Sequence, residues 1–144
     1  MSFAHYSPKV FDHFFNPRNN GTIEDANGIG EIGDPECGDH LKVYVRIENN
    51  LVKDVKFLIK GCPAAIACAS AMTELVIGKP LNEALIITDD DIIDSIDGLP
   101  EFKIHCSALG GSGFRVAVMD YFTKFELAAR DGEKLAETQM EDSI

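Results

Sequence analysis

The sequence lacks several features that define other classes of protein. It contains no run of about 18 apolar residues, which excludes a membrane-spanning helix. No two cysteines are separated by two residues, so the common spacing of zinc fingers is absent. The N-terminus, Met-Ser-Phe-Ala-His-Tyr, has neither the charged start nor the apolar run of a secretory signal. We therefore expect a cytoplasmic protein with no membrane partner.

Basic residues are also scarce. The chain has 13 lysines and arginines against 24 aspartates and glutamates, which gives a formal net charge of −11 at pH 7. So acidic a chain has no general affinity for nucleic acid phosphates. At 144 residues it has the length of one domain. We predict a single domain over residues 1–132 and a mobile acidic tail over residues 133–144.

Four cysteines are present, and without an export signal they are not expected to pair as disulfides. In a reducing compartment, paired thiols more often bind metal or take part in catalysis. Cys68, which lies among alanines on a predicted helix, is interpreted instead as a small buried apolar residue. His5 and His13 are interpreted as surface or packing residues.

Hydrophobic periodicity predicts a domain that contains both strands and helices. Apolar and polar residues alternate over 41–48 and again over 54–60, and Asn49-Asn50 between them tolerates the positive φ angles of a tight turn. This pattern predicts an antiparallel hairpin. A further short strand is expected around residues 30–33.

Helices are predicted after Ser7, at Pro63 and after Thr88, where a capping residue or a proline precedes apolar residues of helical period. A last helix is expected either from near Phe114 or with loose first turns, and it runs to about residue 132. The reason is that Gly-Gly-Ser-Gly precedes Phe114, and each glycine costs about 1 kcal/mol inside a helix. Before that helix, an extended segment is expected to lead to positions 105 and 106.

The candidate functional residues stand at the edges of these elements. The hairpin register places Cys37 and Cys62 at the same end of the sheet, with Asp39 beside them. Cys62 precedes a helix, where backbone N–H groups and the helix dipole favour thiolate over thiol. His105 and Cys106 follow the extended segment. Thiols, a carboxylate and an imidazole thus predict one metal site built from three parts of the chain.

Motifs along nearly the whole chain, in order and at similar separations, resemble a known family. They are His13-Phe14-Phe15-Asn16-Pro17-Arg18-Asn19, Cys37-Gly38-Asp39, Gly61-Cys62 with Ala64-Ala65-Ile66-Ala67, Thr73-Glu74, Gly78-Lys79 and Lys103-Ile104-His105-Cys106-Ser107. The chain resembles the iron-sulfur cluster assembly scaffolds of the IscU type, including the N-terminal scaffold domain of NifU. This resemblance implies an α+β fold, with a three-stranded antiparallel sheet and helices packed on one side.

The resemblance also implies a function and a set of ligands. The implied protein is a scaffold and carrier, not an enzyme, which assembles a transient [2Fe–2S] cluster from iron and persulfide sulfur and transfers it to apo-proteins. Cys37, Cys62 and Cys106 would bind the cluster, and Asp39 or His105 would supply the fourth ligand. A carboxylate binds such iron more weakly than a thiolate does, which suits a site that must release its cluster.

The implied partners follow from the same resemblance. Cys106 is similar to the family's acceptor of persulfide sulfur from a cysteine desulfurase, a role that needs an exposed nucleophilic thiolate. An electron donor such as ferredoxin and apo-protein recipients are also implied, and a homodimer is an open alternative. The segment Leu99-Pro100-Glu101-Phe102-Lys103 departs from the family's Leu-Pro-Pro-Val-Lys. This departure weakens the expectation that Hsp70 and J-protein chaperones bind.

Two other functions fit the same residues. The ligand set could hold Zn²⁺ tetrahedrally, as in a zinc-binding sulfur-acceptor protein that activates a cysteine desulfurase. A cysteine-nucleophile enzyme with His105 as its base is the third hypothesis. It ranks lower, because adjacent residues of an extended segment point to opposite faces and His105 would then be badly placed to deprotonate Cys106.

Overall fold

The computed structural model describes residues 5–33 and 39–142, with side chains described through residue 128. Strands occupy the first half of this range, and helices occupy most of the second. In chain order the elements are α1 (Pro8–Phe15), β1 (Gly28–Gly33), β2 (His40–Glu48), β3 (Leu51–Lys60), α2 (Pro63–Val76), α3 (Leu81–Leu85), α4 (Asp89–Ser95), a 3-10 turn (Glu101–Lys103) and α5 (Cys106–Asp142).

The three strands form one antiparallel sheet in the order β1-β2-β3. Helix α5 packs against β1 and β2, α2 packs against β3, and α1 packs against α2. The core lies between the sheet and these helices, where Leu41, Val43 and Phe57 of the sheet are fully buried together with Met72 of α2. The predicted three-stranded sheet with helices packed on it is confirmed.

The hairpin of β2 and β3 determines which residues meet at the end of the sheet. Asn49 and Asn50 form its turn with φ angles of 54° and 60°, as their tolerance of the left-handed region predicts. At the opposite end His40 pairs with Lys60. The residue before β2 and the residue after β3 are therefore neighbours, which the alternating pattern predicts correctly. Strand β3 begins at Leu51, earlier than residue 54.

The predicted helix starts at Ser7 and Thr88 are confirmed by their capping bonds. The Ser7 hydroxyl accepts a hydrogen bond from the Val10 N–H and donates one to the Ile96 carbonyl, so it also ties α1 to the end of α4. Thr88 and Asp91 form a reciprocal capping box. The acidic first turn of α4 is thus explained by helix capping alone.

His13 is a packing residue, as expected. It lies on α1 at 7% exposure, with its Nδ1 atom 2.7 Å from the Ser70 hydroxyl of α2. Its Nε2 atom lies 3.3 Å from a carboxylate oxygen of Glu74. Burial lowers the pKa of His13, because desolvation disfavours the imidazolium. The motif around His13 therefore joins α1 to α2.

Helix α5 starts earlier than the predicted position near Phe114. It begins at Cys106 and includes all three glycines. Two of them lie where α5 packs closely against its neighbours. A Cβ atom on Gly113 would lie 2.7 Å from Leu41 of the sheet, and one on Gly110 would lie 3.3 Å from the Cys68 carbonyl. Close packing thus offsets the cost of glycine inside a helix.

The segments on either side of this start differ from the prediction as well. The residues before Cys106 are not extended, because a 3-10 turn over Glu101–Lys103 leads directly into α5. At the other end α5 continues through Asp142, so residues 133–142 of the predicted tail are helical. The mobility of that tail stays a prediction. Within residues 5–33 and 39–142, every helix is too short or too polar to span a lipid bilayer.

Candidate functional site

Two cysteines that are 44 residues apart in sequence meet at one end of the sheet. Cys62 is the N-cap of α2, directly after β3, and Cys106 is the first residue of α5. Their Sγ atoms are 3.6 Å apart. The sequence predicts this meeting, and it depends on α2 and α5 beginning side by side.

The two sulfur atoms share a hydrogen bond, and this bond separates their acidities. It holds the pKa of the Cys62 thiol down to about 5, with further help from the Ala65 N–H of α2 and the charge of Lys103. The same bond raises the pKa of Cys106, because Cys106 retains the shared proton, and burial raises it further. The negative charge of the pair therefore resides on Cys62, where the helix start was expected to favour thiolate.

Cys106 differs from the expectation of an exposed thiolate. It is only 3% exposed, and its pKa is raised. The reason is its position in the first turn of α5, where its side chain is directed against Cys62 instead of solvent. Cys62 is the more accessible of the two thiols.

His105 lies next to Cys106 in space as well as in sequence. Its Nε2 atom is 3.7 Å from the Cys106 Sγ atom. An extended segment would place His105 on the face opposite Cys106, but this prediction is wrong because the chain enters a helix here. An imidazole and a thiol are therefore close enough to bind the same ion or to exchange a proton.

Asp39 reaches the same end of the molecule through the hairpin. It directly precedes β2, and a Cβ atom on Gly61 would lie 3.2 Å from its carboxylate. Asp39 also shares a cleft of about 280 Å³ with His105 and Cys106. The described lining residues of this cleft are Ile32, Asp39, His105, Cys106, Ala108, Leu109 and Ser112.

Ser112 is a lining residue that the sequence analysis did not single out. It lies three residues after Leu109, so the two share one side of α5. A helix that starts near Phe114 would leave both residues before it, so this spacing could not be used to find Ser112.

The complete ligand set stays a prediction. Cys37 lies outside the described residues. Across residues 5–33 and 39–142, no group of three or more His, Cys, Asp and Glu side chains is placed to hold one metal ion. In this part of the chain Cys106 contacts both Cys62 and His105, and Asp39 lies on the adjoining cleft.

Cys68 takes no part in this cluster of side chains. It is fully buried in α2, and desolvation raises the pKa of its thiol to about 12. Its interpretation as a small apolar core residue is confirmed.

These pKa values predict the order in which the described thiols are alkylated. At pH 7 we expect iodoacetamide to label Cys62 faster than Cys106 and Cys68 by an order of magnitude or more, because only Cys62 is a thiolate there. Labelling of Cys62 should slow as the pH falls through about 5, where the pair gains a second proton. Peptide mass spectrometry after a short pulse of reagent gives all three rates.

The matched control is the same pulse in concentrated urea, where the three thiols should react at similar rates. If Cys62 and Cys106 are labelled at the same rate in the folded protein, then Cys106 does not retain the shared proton in preference to Cys62.

Comparison with known proteins places the chain in a family. The family model for the NifU-like N terminal domain matches residues 5–128. The iron-sulfur cluster assembly scaffold protein IscU 1 of Archaeoglobus fulgidus is 50% identical over 119 residues, which make up 83% of this chain and 78% of that protein. The corresponding scaffold protein IscU of Escherichia coli is 42% identical over 125 residues, or 84% of this chain and 97% of that protein.

A solved structure supports the same assignment at the level of the fold. The N-terminal part of a nitrogen-fixing NifU-like protein from Brucella abortus matches with a TM-score of 0.70. The match covers 83% of this chain and 96% of that one, at 16% sequence identity. The family model spans all the elements from α1 to the described side chains of α5. The chain therefore belongs to the NifU-like N-terminal domain family.

Proposed function

We propose that this chain is a scaffold on which an iron-sulfur cluster is assembled and from which the cluster passes to apo-proteins. The observation that carries the proposal is the contact of Cys62 and Cys106 at 3.6 Å, with the His105 imidazole 3.7 Å from Cys106. Relatives of similar length are named as iron-sulfur cluster assembly scaffolds, which supports the same role. The chain acts as a carrier and not as an enzyme.

The chemistry of these side chains suits iron that is held for a limited time. Thiolates are the usual ligands of iron-sulfur clusters, and Cys62 already carries its negative charge before metal binds. In this proposal Cys37, Cys62 and Cys106 supply three thiolates, and Asp39 or His105 completes the set. With a [2Fe–2S]²⁺ core, three thiolates and a carboxylate have a formal charge of −2. The charge of Lys103, which acts on the thiols of Cys62 and Cys106, partly offsets it.

Cys106 is the proposed acceptor of sulfur, and to accept it the buried Cys106 thiol must give up the proton that it shares with Cys62. Cys106 faces a cleft of about 280 Å³ together with His105 and Asp39, which leaves room for an added sulfur atom beside groups that can bind iron. Sulfur would come from the persulfide of a cysteine desulfurase, and an electron donor such as ferredoxin would reduce it. These partners are part of the proposal.

Anaerobic reconstitution tests the function directly. The apo-protein is mixed with ferrous iron, a sulfide source and a thiol reductant, then desalted. We expect visible sulfur-to-iron charge-transfer absorption, with iron and sulfide that co-purify with the chain. Mössbauer and resonance Raman spectra then give the cluster type. Protein that retains neither iron nor sulfide under these conditions would refute the scaffold role.

Replacement of Asp39 by alanine is expected to make the bound cluster longer-lived, by several-fold in the half-time of its transfer to an apo-ferredoxin. The substitution removes one negative charge from a cluster whose total formal charge, ligands and core together, is −2. It also leaves the fourth position to His105, whose imidazole suits iron better than a carboxylate does. Loss of visible absorption after addition of the acceptor measures the half-time.

Asp54→Ala is the matched control, because it removes the same charge at the far end of the hairpin, where Asp54 pairs with Arg46 in the register of β2 and β3. The control should transfer its cluster at the wild-type rate. A shorter lifetime in Asp39→Ala would contradict the assigned role of Asp39. Failure of His105→Ala alone to form a cluster would identify His105 as the fourth ligand.

A further inference from the structure

The contact of Cys62 with Cys106 suggests chemistry between the two sulfurs as well as shared metal binding. Their Sγ atoms lie at 3.6 Å, and a disulfide needs about 2.05 Å. The sulfurs must therefore approach by only about 1.5 Å to bond. Cys62 lies at the very start of α2, and Cys106 lies at the very start of α5. A bond between them would join two helix ends without crossing the core.

A cleft opens beside Cys106. Cys106, His105, Asp39 and Ser112 are among its described lining residues, and Cys62 is not. A sulfur atom added to Cys106 therefore has room on the side of the Cys106 Sγ atom that faces the cleft. The Cys62 Sγ atom lies 3.6 Å from the same Cys106 Sγ atom.

We propose that Cys62 resolves a persulfide formed on Cys106, and that the resolution releases one sulfide ion into the cleft. The proposal rests on the proposed function only in taking Cys106 as the sulfur acceptor. It gives Cys62 a chemical role of its own, in addition to that of a ligand. Such a step would supply the first sulfide for assembly at the place where iron is to be bound.

The atoms and electrons of the sequence balance. A persulfide donor R–S–SH transfers its outer sulfur to the Cys106 thiol, the donor's sulfur-sulfur bond breaks, and R–SH leaves with the proton that Cys106 held. The Cys62 thiolate then attacks the Sγ atom of Cys106. A bond forms between the two cysteine sulfurs, the bond from Cys106 to its outer sulfur breaks, and HS⁻ departs with the electron pair. The outer sulfur gains two electrons, and the two cysteine sulfurs supply them.

Geometry favours attack on the inner sulfur of the persulfide. Thiolate attack on a sulfur-sulfur bond proceeds with the nucleophile, the attacked sulfur and the leaving sulfur close to one line. Cys62 already contacts the sulfur that would become the inner one, and the cleft beside Cys106 gives the leaving sulfur room. The His105 Nε2 atom, 3.7 Å from the same Sγ atom and also at the cleft, can donate a hydrogen bond to the departing sulfide.

Each chain can release only one sulfide ion by this step before its disulfide must be reduced. The Cys62–Cys106 disulfide cannot bind iron until a dithiol reductant restores both thiols. Sulfide release in the absence of an external electron donor should therefore stop at one equivalent, and added dithiol should permit another round. This limit separates the proposed step from direct reduction of the persulfide by an electron donor.

The experiment uses the full chain, reduced, desalted and held anaerobically with a metal chelator. One equivalent of cysteine persulfide is added as the sulfur donor. Sulfide is trapped with monobromobimane, and intact mass is followed over time. For the wild type we expect a transient species that is one sulfur atom heavier than the reduced chain. It should be replaced by a species two hydrogens lighter than the reduced chain, as the disulfide forms, with one sulfide trapped per chain. Non-reducing peptide mapping should identify the Cys62–Cys106 link.

Variants separate this inference from the acceptor role of Cys106. In Cys62→Ser the persulfide should persist on Cys106 with almost complete loss of sulfide release, whereas Cys68→Ser should behave as the wild type does. A persulfide that decays equally fast with and without Cys62 would overturn the inference alone, as would a link from Cys106 to Cys37 or a persulfide found on Cys62. If Cys106 gains no sulfur even in Cys62→Ser, both the inference and the acceptor role are wrong. The peptide map of the wild type decides the matter even if Cys62→Ser does not fold.

Discussion

Cys62→Ser is expected to abolish stable binding of the iron-sulfur cluster. Cys62 supplies the sulfur that is already ionised at neutral pH, with a pKa of about 5, and a serine hydroxyl does not ionise there. Removal of a group that only orients a metal ligand lowers metal affinity by about 10–100-fold. Loss of a ligand should therefore cost about 100-fold or more. Iron and sulfide content per chain after anaerobic reconstitution and desalting measures the effect.

Cys68→Ser provides the matched control for this loss. It makes the same change of sulfur to oxygen six residues further along α2, at a thiol that is fully buried and far from ionisation. This control should retain nearly all of the cluster, although a buried hydroxyl lowers its stability by about 1–3 kcal/mol. Circular dichroism confirms that both variants are folded. Cluster content in Cys62→Ser equal to that of Cys68→Ser would remove Cys62 from the ligand set.

The parts of the fold that the sequence predicts are those governed by local rules. Alternation of apolar and polar residues defines β2 and β3, and two asparagines define the turn between them. The same register places Asp39 beside Gly61, and so near Cys62. Capping residues define the start of α1 and α4 for a similar reason, since a cap bonds within three residues. In these cases tertiary packing agrees with the local preference.

Other features depend on contacts between distant segments, and local rules could not predict them. The glycines at the start of α5 argue against a helix when only propensity is considered. They are required there because Gly113 contacts Leu41 of β2. The burial of Cys106 has the same origin, since it follows from the position of α5 against α2. The error about His105 followed from the error about the helix start.

Gly30→Ala is expected to lower the stability of the fold substantially. A Cβ atom at position 30 would lie 2.5 Å from the Ala117 nitrogen, 2.9 Å from the Gly113 carbonyl oxygen and 3.0 Å from the Val116 carbonyl carbon. All three are backbone atoms of α5, so no side chain can rotate away, and the helix itself must move off the sheet. Overpacking of this kind costs about 1–3 kcal/mol, occasionally more.

The φ angle of Gly30 is not positive, so strain in the backbone does not explain the expected loss. We expect the free energy of unfolding to fall by roughly 3 kcal/mol, and the melting temperature by roughly 6–12 °C. Urea denaturation and thermal melts followed by circular dichroism measure both. The control is Glu31→Ala, the next residue of β1, whose exposed side chain lies 3.4 Å from His40 and should contribute no more than about 1 kcal/mol. A Gly30→Ala variant as stable as this control would mean that α5 can move away from β1 at little cost. The position of Cys106 relative to Cys62 would then not be held by the packing of α5, because the same helix carries Cys106 at its first residue.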